Sequence, residues 1–213
     1  AINYSALLIE QKQFEQAATV VRKALERAKG ALELHINLGY ALKGLGDHAA
    51  AAKSFANALK MKPGDLSLEL AYADELVEAK DKDGALKAYK NAMAKTTDPD
   101  TLAVIAMGLA RADDAPGCVV TLDKVLANKT TSELLTERAI CKHKAGDLAG
   151  AHKDAESALA KDRANIKAHA IAAKVAEKLK DTKGCREHYG EVAKLAPGTK
   201  LEEEARKGIE RCK

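Results

Sequence analysis

Along most of the chain, apolar residues recur three and four positions apart, the spacing that lays one stripe along an α-helix. No segment sustains the alternation of β-branched and polar residues expected of a half-buried strand. Short polar or Gly/Pro-containing breaks interrupt the pattern near Gly30, Gly46, Pro63-Gly64, Lys80 to Gly84, Asp98-Pro99 and Asp113 to Gly117. They continue near Asn128 to Thr130, Gly146-Asp147, Asp162 to Asn165, Lys180 to Gly184 and Pro197-Gly198. The pattern predicts an all-α chain of short helices joined by tight turns.

The breaks divide the chain into units of 33 or 34 residues, and the units align with one another. A small residue opens the second helix of each: Ala17, Ala51, Ala85, Cys118, Ala151 and Cys185. Four positions on stands a side chain that is larger in most units: Val21, Phe55, Tyr89, Leu122, Ala155 and Tyr189. Three further come Ala24, Ala58, Ala92, Val125, Ala158 and Val192. The first helix has its own small position at Ser5, Gly39, Ala73, Ala106, Ala139 and Ala173. Small residues at matched heights let paired backbones approach closely. No unit can bury its apolar face alone, so the units must stack.

Leu38, Gly39, Ala51, Phe55, Ala58 and Pro63 carry a resemblance to the tetratricopeptide repeat (TPR) family, with weaker echoes in the other units. The resemblance implies a right-handed superhelix, an α-solenoid, of about six helix-turn-helix repeats forming a single domain. The repeats fall at about 1–31, 32–65, 66–98, 99–131, 132–165 and 166–198, with a capping helix at 199–213. Ala155 and Arg138 depart from the pattern, which suggests looser packing in the fifth repeat. The last segment leads with acidic residues and ends with basic ones, complementing a helix dipole, and its stripe of Leu201, Ala205 and Ile209 suits a cap.

Composition agrees with thin, repeated packing. Aromatic residues are only 3% of 213, tryptophan is absent, and 31% of residues are charged. The formal charge of +4 is spread along the chain, without the clustered cations and aromatic platforms of a nucleic-acid binder. No apolar run approaches the ~20 residues that cross a bilayer. The chain opens at Ala1 without methionine and already within a helical pattern, which reads as a processed or trimmed product. A membrane would then be reached only through a lipid anchor or a partner.

The four cysteines all lie in the C-terminal half. Cys118 and Cys141 are equidistant from the break at Lys129-Thr130, and Cys185 and Cys212 from that at Gly198-Thr199. Each pair therefore sits level across two antiparallel helices, which predicts disulfides Cys118–Cys141 and Cys185–Cys212. Such bonds would place the protein in an oxidising compartment, periplasm or cell surface for a bacterial chain; without them it would be cytoplasmic. Two other readings stand beside this: ordinary buried thiols at small positions, or a zinc site using Cys185, His188 and Cys212, which lacks a fourth ligand.

No phosphate loop, dinucleotide fingerprint, nucleophile elbow or zincin helix is present, so neither enzyme, cofactor nor small-molecule substrate is expected. His35 and His169 occupy one repeat position and read as packing residues, and His48 and His152 read as surface. Asp98, Asp100, Asp113 and Asp114 flank turns and read as helix caps. By resemblance to the family, first helices line a concave groove. It would present Ile36, Asn37, Tyr40 and Lys43, then Leu70, Asp74 and Val77, then Val104, Met107 and Arg111, then Ile140 and His143, then Lys174 and Lys178. An apolar middle with polar edges suits an extended peptide or an amphipathic helix, although several of these residues could instead close the gap between first helices. Of the family's carboxylate clamp for chaperone tails, only Asn37 is present, with Ile2, Ala6, Ser67 and Ala71 around it, which excludes that ligand. The expected function is a non-enzymatic protein-binding scaffold, by architectural analogy an envelope lipoprotein that helps secretins or pili assemble. A regulatory or targeting part of a larger enzyme, and a repeat that self-associates through its N-terminal unit, are the alternatives.

Overall fold

The computed structural model describes residues 1–212. Every regular element in it is an α-helix: α1 (Ile2–Glu10), α2 (Phe14–Leu25), α3 (Leu32–Gly44), α4 (His48–Met61), α5 (Leu66–Glu78), α6 (Lys82–Met93) and α7 (Pro99–Arg111). There follow α8 (Ala115–Leu126), α9 (Ser132–Ala145), α10 (Leu148–Lys161), α11 (Ile166–Leu179), α12 (Thr182–Leu195) and α13 (Lys200–Arg211). The chain forms two compact units. Ala1–Thr97 with Arg111–Asp113 make the first, and Asp98–Ala110 with Asp114 onward make the second. Within the first, each helix from α1 to α6 packs on the next, and α1 also meets α3. Within the second, the same holds from α8 to α13, and α9 also meets α11. Contact between alternate helices is what stacking of hairpins requires.

One turn recurs inside the repeats. Gly46, Lys80, Asp113, Gly146 and Lys180 take left-handed φ values between 60° and 87°. The next residue is always an N-cap aspartate: Asp47, Asp81, Asp114, Asp147 or Asp181. Its carboxylate accepts from the backbone N–H three residues on, at Ala50, Gly84, Gly117, Gly150 and Gly184. That bond satisfies one of the donors a helix start leaves unpaired.

The small positions are buried where the repeat alignment places them. Ala17, Ala51, Ala85, Cys118, Ala151 and Cys185 are wholly buried, as are Ala73, Ala106, Ala139 and Ala173. Gly39 has no room for a side chain, since a Cβ there would lie 2.7 Å from the Phe55 ring. The Cys118 and Cys141 sulfurs lie 2.03 Å apart, joining α8 to α9, and those of Cys185 and Cys212 lie 1.92 Å apart, joining α12 to the end of α13.

The structure corrects three expectations. Arg138 is not a packing defect. Its guanidinium donates two bonds of 2.7 Å to the Asp154 carboxylate and a third to Asp123, while Lys142 lies 2.9 Å from Asp154. Asp154 is buried, and Ala155 beside it is fully buried. His48 is not a free surface residue, because its ring lies 2.8 Å from buried Glu75, which Lys43 also pairs at 3.1 Å. In α13 the packing face is Ala205 and Gly208, with Ile209 half-buried, and Leu201 is exposed. Gly208 gives its space to the Tyr189 ring, which would lie 2.6 Å from any Cβ there.

Candidate functional site

The residues expected to line a binding surface fall into two sets, one in each unit. In the first unit many are already engaged. The Asn37 amide donates to the Ile2 carbonyl at 3.0 Å and the Ser5 hydroxyl at 2.9 Å, tying α3 to α1. Lys43 is the partner of buried Glu75. Asp74 accepts from the Tyr89 hydroxyl at 2.5 Å and from Arg111 at 3.0 Å, and Arg111 also holds Glu78 at 2.8 Å. Burial, followed by the Asp74 carboxylate, pushes the Tyr89 hydroxyl far above its ordinary range, so it stays a donor. Ile36, Leu70 and Val77 are half-buried. Tyr40 is 42% exposed and meets the Phe55 ring edge-on at 5.2 Å. On α1, Ile2, Tyr4 and Leu7 are also exposed.

The second unit is different. Val104 and Met107, three positions apart on α7, are 45% and 39% exposed. A pocket of about 490 Å³ opens between α9 and α11, lined by Glu137, Ile140, His143, Lys144, Lys167, Ala170, Ile171 and Lys174. A second, of about 220 Å³, is built by α11, α12 and α13 and shares Ala170 and Lys174 with the first. It adds Tyr189, Leu201, Glu204 and Lys207. Sequence reasoning missed Lys144, Lys167, Leu201 and Lys207. The position of α13 after a sixth hairpin was the available signal, since it makes the cap's inner face an extension of α11.

Lys174 and Lys178 carry no ion pair among the described residues, and both are exposed. Their charge is felt locally. Burial, and then Lys174 and Lys178, hold the His143 ring below the ordinary histidine range. Neighbouring carboxylates are already taken: Glu137 by Lys167 at 3.4 Å, and Glu177 by Arg211 at 2.9 Å and the Tyr189 hydroxyl at 3.0 Å.

The histidines have structural partners. His35 and His169 each point Nε2 at a carbonyl six residues earlier, that of Lys29 at 2.8 Å and of Arg163 at 3.1 Å. A carbonyl only accepts, so Nε2 carries the proton in both. His188 lies 3.2 Å from the other nitrogen of His169 and 3.3 Å from Glu156. Cys185 and Cys212 face each other rather than His188, so the structure does not assemble the zinc ligands considered above. Among the described residues no helix is long and apolar enough to cross a membrane.

Stacked α-helical hairpins with small residues at the crossing points define a helical-repeat protein. Residues 32–65 match the tetratricopeptide repeat family, and the fold of the chain is that of tetratricopeptide-repeat proteins. The C-terminal part of a TPR repeat-containing protein from Cytophaga hutchinsonii is similar, at 17% identity and TM-score 0.72 over 96% of this chain and 83% of that one. PilW, a widely conserved type IV pilus biogenesis factor, is similar at 16% identity and TM-score 0.71 over 96% of both chains. Pseudomonas aeruginosa pilF is similar at 17% identity and TM-score 0.64 over 97% of this chain and 95% of that one. No curated protein matches the chain by sequence.

Proposed function

We propose that the chain is a non-catalytic scaffold whose first-helix faces hold a peptide or helix of a partner protein. The observation that carries this is apolar surface left open on first helices whose opposite sides are packed: Tyr40 on α3, and Val104 with Met107 on α7. A helix that has already buried its packing stripe gains nothing intramolecular from a second one. Methionine adapts its shape to a partner, and tyrosine supplies contact area at low ordering cost. The bacterial envelope is the proposed place of work, as an adaptor in pilus or secretin assembly. The close approach of both cysteine pairs and the likeness in fold to PilW and pilF support it.

The test is capture of partners by the native protein, repeated with Tyr40→Glu, Val77→Glu and Met107→Glu together. Capture is expected to fall by at least roughly tenfold, because each charge would be desolvated against an apolar partner. Capture that survives all three changes, in a protein whose circular dichroism is unchanged, rules these first-helix faces out.

A further inference from the structure

The first unit's two expected groove cations are neutralised where they stand. Lys43 serves Glu75, and Arg111 serves Asp74 and Glu78. The corresponding strip of the second unit has not been treated this way. Lys174 and Lys178 sit one turn apart on α11, and Lys207 projects from α13 beside the shared pocket wall. Among the described residues none of the three has a carboxylate partner. Lys144, at the end of α9, donates to the Ala110 carbonyl at 3.2 Å and has no carboxylate partner among the described residues. Between these cations the floor is apolar: Ile140, Ala170, Ile171 and exposed Leu201.

We propose that this α9–α11–α13 strip is the docking site for an acidic segment of a partner protein that also carries apolar side chains. The inference rests on the scaffold reading and specifies its chemistry. Charge complementarity identifies the occupant. Uncompensated like charges repel one another, and a protein that keeps them around an apolar floor gains when a partner brings the opposite sign. Burial, and after it the nearby charges of Lys174 and Lys178, hold the His143 ring below the ordinary histidine range, in keeping with that excess. The carboxylates on the strip, Glu137 and Glu204, already have Lys167 and Lys200 nearby and leave the excess positive. One helical turn rises about 5–6 Å, which matches two carboxylates on alternate residues of an extended segment or four apart on a helix. A nucleic acid would want rings to stack on, and the strip's Tyr189 is buried with its hydroxyl bonded to Glu177.

The experiment pans a random short-peptide library against the native protein, against Lys174→Glu/Lys178→Glu, and against a control, Lys153→Glu/Lys161→Glu, on the exposed side of α10. The four changed positions are scored only in protein with native circular dichroism. The native protein and the control are expected to enrich peptides combining Asp or Glu with Leu, Ile, Val or Phe. A labelled winner should bind the Lys174→Glu/Lys178→Glu protein at least roughly tenfold more weakly, and bind native protein progressively more weakly as salt rises. The inference is overturned if no acidic peptide is enriched, if binding survives the α11 charge reversal, if the control loses as much, or if a single-stranded oligonucleotide displaces the winner. Loss of acidic selection while Tyr40, Val77 and Met107 still govern capture overturns the strip alone. Retained acidic selection with no role for those three overturns their part in binding instead.

Discussion

Replacing Gly39 with alanine sets two effects against each other. In a helix interior, alanine is favoured over glycine by about 1 kcal/mol, so propensity alone predicts a more stable protein. Packing predicts the opposite. The new methyl would lie 2.7 Å from Cε1 and Cζ of Phe55 and 2.9 Å from Cδ1. That is about 1 Å inside ordinary carbon–carbon contact of ~3.5–4.0 Å. The ring cannot swing away, because Phe55 is wholly buried and Tyr40 stands edge-on to it at 5.2 Å. Overpacking of this kind costs about 2–3 kcal/mol, and subtracting the propensity gain leaves a net loss of about 1–2 kcal/mol. Urea unfolding followed by far-UV circular dichroism measures it. Hydrogen exchange in peptides from α3 and α4 localises it, since repeat arrays can unfold piecewise. Gly190→Ala supplies the control: Gly190 lies within α12 with nothing within 4 Å of a new Cβ, and there alanine should stabilise by about 0.5–1 kcal/mol. Phe55→Leu should relieve the clash, so Gly39→Ala costs less in that background by about 1 kcal/mol or more. A Gly39→Ala protein as stable as wild type, or an equal cost in both backgrounds, refutes the packing argument.

Two further outcomes follow from the second unit. Asp154→Ala leaves Arg138 and Lys142 without their buried partner and should destabilise by about 3–5 kcal/mol, read as a lowered urea midpoint. Burial raises the Asp154 carboxyl, but hydrogen bonds from Arg138 and Lys142 outweigh burial and hold it below the usual carboxylate range. Its contribution is therefore complete above the ordinary carboxyl pKa of about 4 and is lost as pH falls below that, so the variant's melting temperature should drop less steeply than wild type's under acid. Cys118→Ser/Cys141→Ser removes a link across a separation of 23 residues and should cost up to about 3.5 kcal/mol under non-reducing conditions. With reductant, the variant and wild type should unfold much closer together, and reactive thiols in unreduced, unfolded wild type would contradict the link.

The helices, their pairing and the small crossing positions were legible because the chain repeats them. A position that is alanine or glycine in five registers declares its packing without a structure. What did not show was chemistry that one repeat solves in its own way. Arg138 looked like a flaw because the second repeat has Leu38 there. The compensating change was also in the chain: Ser54 of the second repeat corresponds to Asp154 of the fifth, and the two substitutions face each other across α9 and α10. Glu75 offered a similar clue. The equivalent residues are Ala41, Gly108, Cys141 and Val175, so a carboxylate among them had to find polar partners, and it did in the Lys43 ammonium and the His48 ring. Asp74 and Arg111 were assigned to recognition because position along a helix says which face a residue occupies, not whether a neighbour has already claimed it. The strip around Lys174 was half legible: Lys174, Lys178, Ile140 and His143 came from repeat position, whereas Leu201 and Lys207 needed the cap to be seen beside α11.

Both sulfur–sulfur junctions rivet one hairpin to the helix after it, and both lie in the second unit. The chain therefore has a reinforced end and an unreinforced one. Heat, tension or a protease should find its first foothold among α1 to α6, where the sequence has no cysteine to link the hairpins, and damage beginning there would leave the lysine-bearing strip standing.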